Sequence, residues 1–208
     1  DTSNGTYKGI NASTVSLSYN KIEKFPSELF TAGSPITSID LSGNQMRTIP
    51  KGSIKGKNAY LLQVIDLRFN KLTSLSDDFR STTLPYITNM DVSYNCFSEV
   101  PTQPLNSANL RAFAINHQRD ANYNRCLRTW PTGITSCPSL IQFQIGSNDI
   151  RKVEEKLTYH LYIVNIKDNP NISIDVTSVC PYIKAGAYRL FYDKTQDIRG
   201  CDALDLEN

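Results

Sequence analysis

Three aspartates, Asp40, Asp66 and Asp91, recur 26 and 25 residues apart, each set between two apolar residues. Stacked on neighbouring strands of a parallel sheet, such carboxylates would stand about 5 Å apart and repel by about 0.8 kcal/mol per pair even in water. Arg68, two residues past Asp66, is placed to relieve that repulsion. The chemistry on offer is a polar groove for a basic partner or a cation; the plainer reading makes Asp an ordinary member of a repeated turn tag. An open, solvated sheet has little means of raising a carboxyl pKa, so acid–base work by this column is not expected. Other catalytic constellations are missing. His117 and His160 fall on different kinds of segment, and no Ser or Cys has a His at a fixed repeat offset. There is no Gly-rich phosphate loop. The expectation is a protein that is not an enzyme and uses no cofactor.

A second set of residues is aromatic. Tyr19, Phe69, Tyr94, His117 and Tyr192 each stand just before an Asn-type residue, so they should line one edge, where aromatics commonly anchor interfaces. Next to them the spacing breaks. Between Gln118 and Asn148 the chain runs 30 residues, with Arg119, Asp120, Tyr123 and Arg125 in an added polar, turn-prone stretch. On this reading Arg125 falls on the Asn position of the resumed coil, the loop bulges from the sheet edge, and its residues have no evident structural duty. Irregular loops on rigid scaffolds often carry function. The expected binding residues are therefore Asp40, Asp66, Arg68, Phe69, Asp91, Tyr94, His117, Arg119, Asp120, Tyr123 and Arg125.

The elements that hold these residues come from a repeat. Ile39-Asp-Leu41-Ser alternates apolar and polar as a short strand does, and Asn44 follows Leu41 by three positions. Met46 and Ile49 then point inward and Pro50 ends the pairing. A buried Asn can satisfy its amide donors and its carbonyl against the backbone of neighbouring turns. The Asn-type positions are Asn20, Asn44, Asn70, Asn95, Gln118, Asn148, Asn169 and Asp193, separated by 24, 26, 25, 23, 30, 21 and 24 residues. One such coil cannot bury its apolar side alone, so the copies must stack into a solenoid. Strands are expected near Leu17, Leu41, Leu67, Val92, Ile115, Ile145 and Ile166, in parallel. The last coil is read from Tyr188-Arg-Leu190-Phe-Tyr192, which puts Arg189 in line with Asn165. Leu29, Phe30, Ile54, Phe79, Leu105, Ile134 and Leu157 should anchor the outer crossings, whose flanks suit single-turn helices. The expected division is a flexible leader over 1–11, seven repeats over 12–174, and a degenerate repeat with cap over 175–208.

The 208 residues carry 22 Lys and Arg against 20 Asp and Glu, a net charge of +2, which argues against nucleic-acid binding driven by bulk charge. No apolar run approaches a membrane-spanning length. Five cysteines leave at least one unpaired or paired outside the chain. Cys180 and Cys201 flank the last segment and are expected to form a capping disulfide. Cys96 and Cys126 each follow an Asn-type position by one residue and are the bolder pairing, leaving Cys137 as the free thiol. The triplets at Asn4, Asn11 and Asn171 match glycan acceptors and also arise by chance in an Asn- and Ser-rich chain.

The tags LSYN (17–20), LSGN (41–44), LRFN (67–70) and VSYN (92–95), each leading to an xIxxFP-like run, resemble extracellular leucine-rich repeats. Through residues 116–135 the chain is similar to the secreted, lipoprotein-type leucine-rich repeat proteins of gut bacteria. The resemblance covers residues 12–200. It implies an α/β leucine-rich-repeat solenoid, with a curved parallel β-sheet on the concave face and short helical or irregular convex segments. It also implies a recognition or adhesion module at the cell surface, with a protein partner bound at the concave face or its edges. The other reading is a carbohydrate-binding or structural spacer module of a larger surface protein. A Cys-bearing N-terminal cap is absent from the pattern, so the first coil is expected to lean on an upstream domain or to follow a lipid anchor.

Overall fold

A computed structural model describes residues 11–31, 35–54, 59–80, 82–102 and 104–202. The expected leader lies outside the described residues apart from Asn11, as does the triplet at Asn4. The strands in chain order are β1 (Thr14–Ser16), β2 (Ser38–Asp40), β3 (Val64–Asp66), β4 (Asn89–Asp91), β5 (Ala112–Ala114), β6 (Gln142–Gln144), β7 (Lys152–Val153), β8 (Ile163–Asn165), β9 (Ser173–Asp175), β10 (Arg189–Phe191) and β11 (Asp197–Arg199). Among the described residues, eight of them form one sheet in the order β1-β2-β3-β4-β5-β6-β8-β10, every pair parallel. The expected stacked solenoid is thus the observed fold.

The strands sit two residues earlier than the sequence reading placed them. They centre on Val15, Ile39, Ile65, Met90, Phe113, Phe143 and Val164, not on Leu17, Leu41, Leu67, Val92, Ile115, Ile145 and Ile166. Both members of each apolar pair point inward, but by the second the chain is already turning. Its N–H still reaches the next rung, as Leu41 N does to Asp66 O at 2.9 Å. What turns the chain is a residue with left-handed backbone just before each Asn-type position: Tyr19, Gly43, Phe69, Tyr94, His117, Ser147 and Asp168 have φ between 52° and 66°. Only Gly adopts that region without steric cost, so six of these rungs hold a local strain against the packing around them.

The Asn ladder supplies that packing. Asn44 Nδ2 donates to Leu41 O at 3.0 Å and to Leu17 O of the preceding rung at 2.9 Å, while its Oδ1 accepts from Ile22 N at 3.0 Å. Asn70, Asn95 and Asn169 repeat the pattern, each bonding its own rung and the one before. In the rung with the insertion, Gln118, fully buried, takes the place, donating to Val92 O at 3.0 Å and accepting from Phe97 N at 2.9 Å. Arg125 does not occupy it. In the last rung the ladder residue is Gln196, whose Nε2 donates to Ile166 O at 2.8 Å, and not Asp193. The last strand is accordingly displaced by two: Phe191 pairs with Asn165 and Arg189 with Ile163. A Gln four positions beyond Tyr192 reaches as far inward as an Asn three positions on, a substitution that the spacing alone conceals.

The outer anchors Leu29, Phe30, Ile54, Phe79, Leu105, Ile134 and Leu157 are all buried. Short turns of helix carry most of them: α1 (Glu28–Thr31) and 3₁₀ turns at Asp77–Phe79, Pro104–Asn106 and Ile134–Ser136. The final rungs cross differently, because β7, β9 and β11 pair in parallel as a second, three-stranded sheet. Val153, Ile174 and Ile198 put one β-branched residue at matching points of these crossings, which favours an extended chain over a helical one. Near the C-terminal end, α2 (Cys180–Lys184) is bridged to the segment just past β11 by Cys180–Cys201, with the Cα atoms 5.4 Å apart.

A polar recess and an aromatic edge on the concave side

Register brings Asp40, Asp66 and Asp91 side by side on β2, β3 and β4. Each has a local duty: its Oδ1 accepts the backbone N–H two residues on, Ser42, Arg68 or Ser93, at 2.9 Å. Arg68 clasps Asp66, its Nε lying 3.0 and 2.9 Å from the two carboxylate oxygens and its Nη2 2.6 Å from Oδ2, and stands 3.6 Å from Asp91 Oδ2. The expected relief of the column by Arg68 is therefore present. Asp40 and Asp91 differ electrostatically. Burial acts to raise the Asp40 carboxyl, but hydrogen bonds from Ser42, Ser18 and Ser16 outweigh it and hold it below the usual carboxylate value. At Asp91 burial wins over Ser93 and Arg68, and the carboxyl lies above that value.

Beside this column the sheet is dented. A recess of about 330 Å³ lies over β5, where Ala112 and Ala114 face outward between Asn89 and Asp91 on one side and Gln142 and Gln144 on the other. Sequence reasoning missed half of it. With strands centred two residues late, the row holding Asn89, Ala112 and Gln142 was not counted as facing outward. Continuing the apolar–polar alternation one step upstream of Met90 and Phe113 would have found it.

Of the expected edge residues, Phe69, Tyr94 and His117 stack in one row, whereas Tyr192 falls level with Ile166 and packs partly against the core, because Gln196 and not Asp193 is the ladder residue. Phe69 and Tyr94 stack with centroids 4.1 Å apart and planes 16° from parallel, and Tyr94 and His117 at 4.4 Å and 9°. Equal left-handed backbones one rung apart make this column unavoidable. Tyr19 belongs to the same row without joining the stack; its ring lies against Gly43, where a Cβ would meet ring carbon Cδ1 at 2.7 Å. Burial, then the neighbouring Arg119 charge, keep His117 below the usual imidazole value, so it is a neutral aromatic member of the column near pH 7.

The insertion forms a small antiparallel hairpin. Arg119 and Arg125 face each other across it, and Cys126 N donates to Gln118 O at 2.9 Å, closing the base. Asp120 Oδ1 accepts from Asn122 N and Asn124 N, both at 2.8 Å, and fixes the tip. Arg125 donates to Asn148 O and Asp168 O, and its Nη2 sits 2.6 Å from Asp168 Oδ1; Arg119 approaches the same carboxylate at 3.9 Å. Cys96–Cys126 forms the bolder of the two disulfides, with Cα atoms 5.5 Å apart, and Cys137 is left free and buried. Asp120, Arg119 and Arg125 thus have structural partners that the sequence did not reveal. The Tyr123 ring, 86% exposed at the tip, has none among the described residues, although Tyr123 N donates to Asp120 O. The structure brings together Asp66, Arg68 and Asp91; Phe69, Tyr94 and His117; and Arg119 and Arg125 around Asp168. Asp120 and Tyr123 stand apart at the tip.

No family model matches the chain. Among solved structures it is similar to a leucine-rich repeat protein from Bacteroides thetaiotaomicron, with 74% identity, a TM-score of 0.94 and 98% of this chain covered. A leucine-rich repeat protein from Bacteroides eggerthii gives 64% identity, a TM-score of 0.93 and the same coverage. The chain spans only 25% and 34% of the length of these two proteins. Human 5T4 shares the fold alone, at 15% identity and a TM-score of 0.57 over 93% of this chain and 89% of that one. Mouse Tsukushi is 30% identical over 81 residues, which are 39% of this chain and 23% of that protein.

Proposed function

Since the chain is a leucine-rich repeat protein of the kind found in Bacteroides, we propose that it is a non-enzymatic extracellular recognition module. It binds a protein partner through the middle of the concave face, the aromatic edge and the hairpin over residues 119–125. The observation that carries this reading is the Phe69–Tyr94–His117 column. Its rings cover one another's faces and turn their edges outward, a surface that suits protein side chains better than sugars, which stack on free ring faces. The column is tied in sequence to both other features: Phe69 follows Arg68 of the recess, and His117 stands two residues before Arg119 of the hairpin. Two disulfides suit an oxidising compartment, consistent with a secreted or surface-anchored location. Among the described residues no helix is long and apolar enough to cross a membrane. Attachment to an upstream domain or a lipid anchor completes the proposal.

The test pairs a pull-down from gut-surface protein extract with a glycan array, using the wild type and a Phe69→Ala, Tyr94→Ala double variant. A protein captured by the wild type should bind the double variant at least about tenfold more weakly, about 1.4 kcal/mol. A glycan hit without a protein partner, or capture undiminished in the double variant, would refute the reading.

A further inference from the structure

The recess over β5 has polar groups that the chain itself does not use. Ser93 bonds the Asp91 carboxylate through its backbone N–H and its side chain, but the cation nearest to it, Arg68, stands 3.6 Å from Oδ2 with its close contacts on Asp66. Among the described residues, neither the Asn89 nor the Gln142 side-chain amide has a hydrogen-bond partner, and both stand at the rim of the recess. Its floor is apolar and shallow, made by the methyl groups of Ala112 and Ala114. Charge points one way: Asp40, Asp66 and Asp91 against Arg68 leave two net negative charges along β2 to β4. Burial raises the Asp91 carboxyl in spite of the Arg68 charge 3.6 Å away, whose close bonds go to Asp66. A saccharide would find hydrogen-bonding groups here but no ring to stack on, because Phe113 lies beneath the sheet, 1% exposed.

Resting on the protein-docking reading above, we propose that this recess receives one basic side chain, lysine or arginine, of the partner. Its aliphatic stem lies on Ala112 and Ala114, its charge meets Asp91 Oδ2, and its N–H groups donate to the amide carbonyls of Asn89 and Gln142. Such long side chains keep an apolar stem and a charged tip, which matches an apolar floor with an acidic wall.

The probes are N-acetyl-arginine amide and N-acetyl-lysine amide, titrated into the isotopically labelled full chain and followed by amide NMR shifts. N-acetyl-glutamine amide serves as the neutral control and methyl glucoside as the saccharide control. The basic amides should give saturable, millimolar binding, with shifts confined to the backbone around 89–91, 112–114 and 142–144. In Asp91→Asn, whose side-chain carbonyl can still accept from Ser93, binding should weaken by about fivefold, as expected for loss of one partly buried charge pair. Ala114→Leu should abolish it by filling the recess, with the rest of the spectrum unchanged. An equal response to the glutamine amide, no saturable shift, or undiminished binding in Asp91→Asn would overturn the proposal; shifts by the glucoside alone would give the recess to a saccharide. None of these outcomes bears on Phe69 and Tyr94, so failure here is distinct from failure of the docking reading.

Discussion

Tyr94 occupies a backbone conformation that costs an L-residue about 1–2 kcal/mol, and it does so between two stacked rings. Strain and stacking can be separated by mutation. Tyr94→Gly and Tyr94→Ala both remove the ring, but only Gly relieves the φ of 58°. Tyr94→Gly should therefore be more stable than Tyr94→Ala by about 1 kcal/mol in urea denaturation; equal midpoints would remove strain from the account. Asn95→Ala tests the opposite quantity, because its amide bonds four buried backbone groups. A loss of about 1–3 kcal/mol is expected, and an unshifted urea midpoint would mean the ladder contributes nothing. Two carboxylates should respond to acid with opposite sign. Burial works to raise the Asp168 carboxyl, but Arg125 and Arg119 hold it below 3.8, so its stabilisation is complete above that value and fades as pH falls through the folded value. Asp91 is raised, so its charge is a cost that is full above its folded value and vanishes toward 3.8. Stability of Asp168→Asn and Asp91→Asn, measured from neutral pH to about pH 3, should converge on wild type from below and from above respectively.

At the scale of elements, the hairpin over 119–125 is both an interruption and a brace. Its base is clamped by Cys96–Cys126, and Arg125 ties it to two later rungs. Replacing Cys96 and Cys126 with Ser should cost about 3.5 kcal/mol, the loop-closure term for a 30-residue separation. Tyr123→Ala should leave stability unchanged, and thermal unfolding of both variants tests the contrast. Repeat period, parallel stacking and outer anchors were all legible, because each follows from apolar spacing that recurs rung after rung. Strand position was less so: apolar residues occur both in the strand and in the turn after it, and only the hydrogen bonds show where one becomes the other. The degenerate end hid its register because Gln196 reaches inward from one position further along than an Asn would. The duty of Arg125 depends on Asp168, 43 residues downstream, and no local pattern could announce a pairing set by how two rungs stack. The recess over Ala112 and Ala114 was hidden for a related reason, since small residues on an outer face look unremarkable until their taller neighbours are known.

Over the whole molecule, each rung touches chiefly the rung before and the rung after, and the ladder amides bond across those same boundaries. Consider the chain pulled from its two ends. Rungs should peel away one at a time, each releasing roughly 80 Å of extended chain, about 24 residues at about 3.4 Å apiece. The regular sawtooth should fail twice, since Cys180–Cys201 also withholds 21 residues, about 70 Å. Between Cys96 and Cys126 the covalent bridge withholds 30 residues, about 100 Å of contour that no force below bond rupture can draw out. In a force-extension trace the oxidised protein should show two shortened intervals, each of which lengthens by its withheld contour when a reducing agent is added. For a module that holds a partner under shear, His117 and the hairpin then sit on a segment that does not extend, and Tyr94 lies two residues before it.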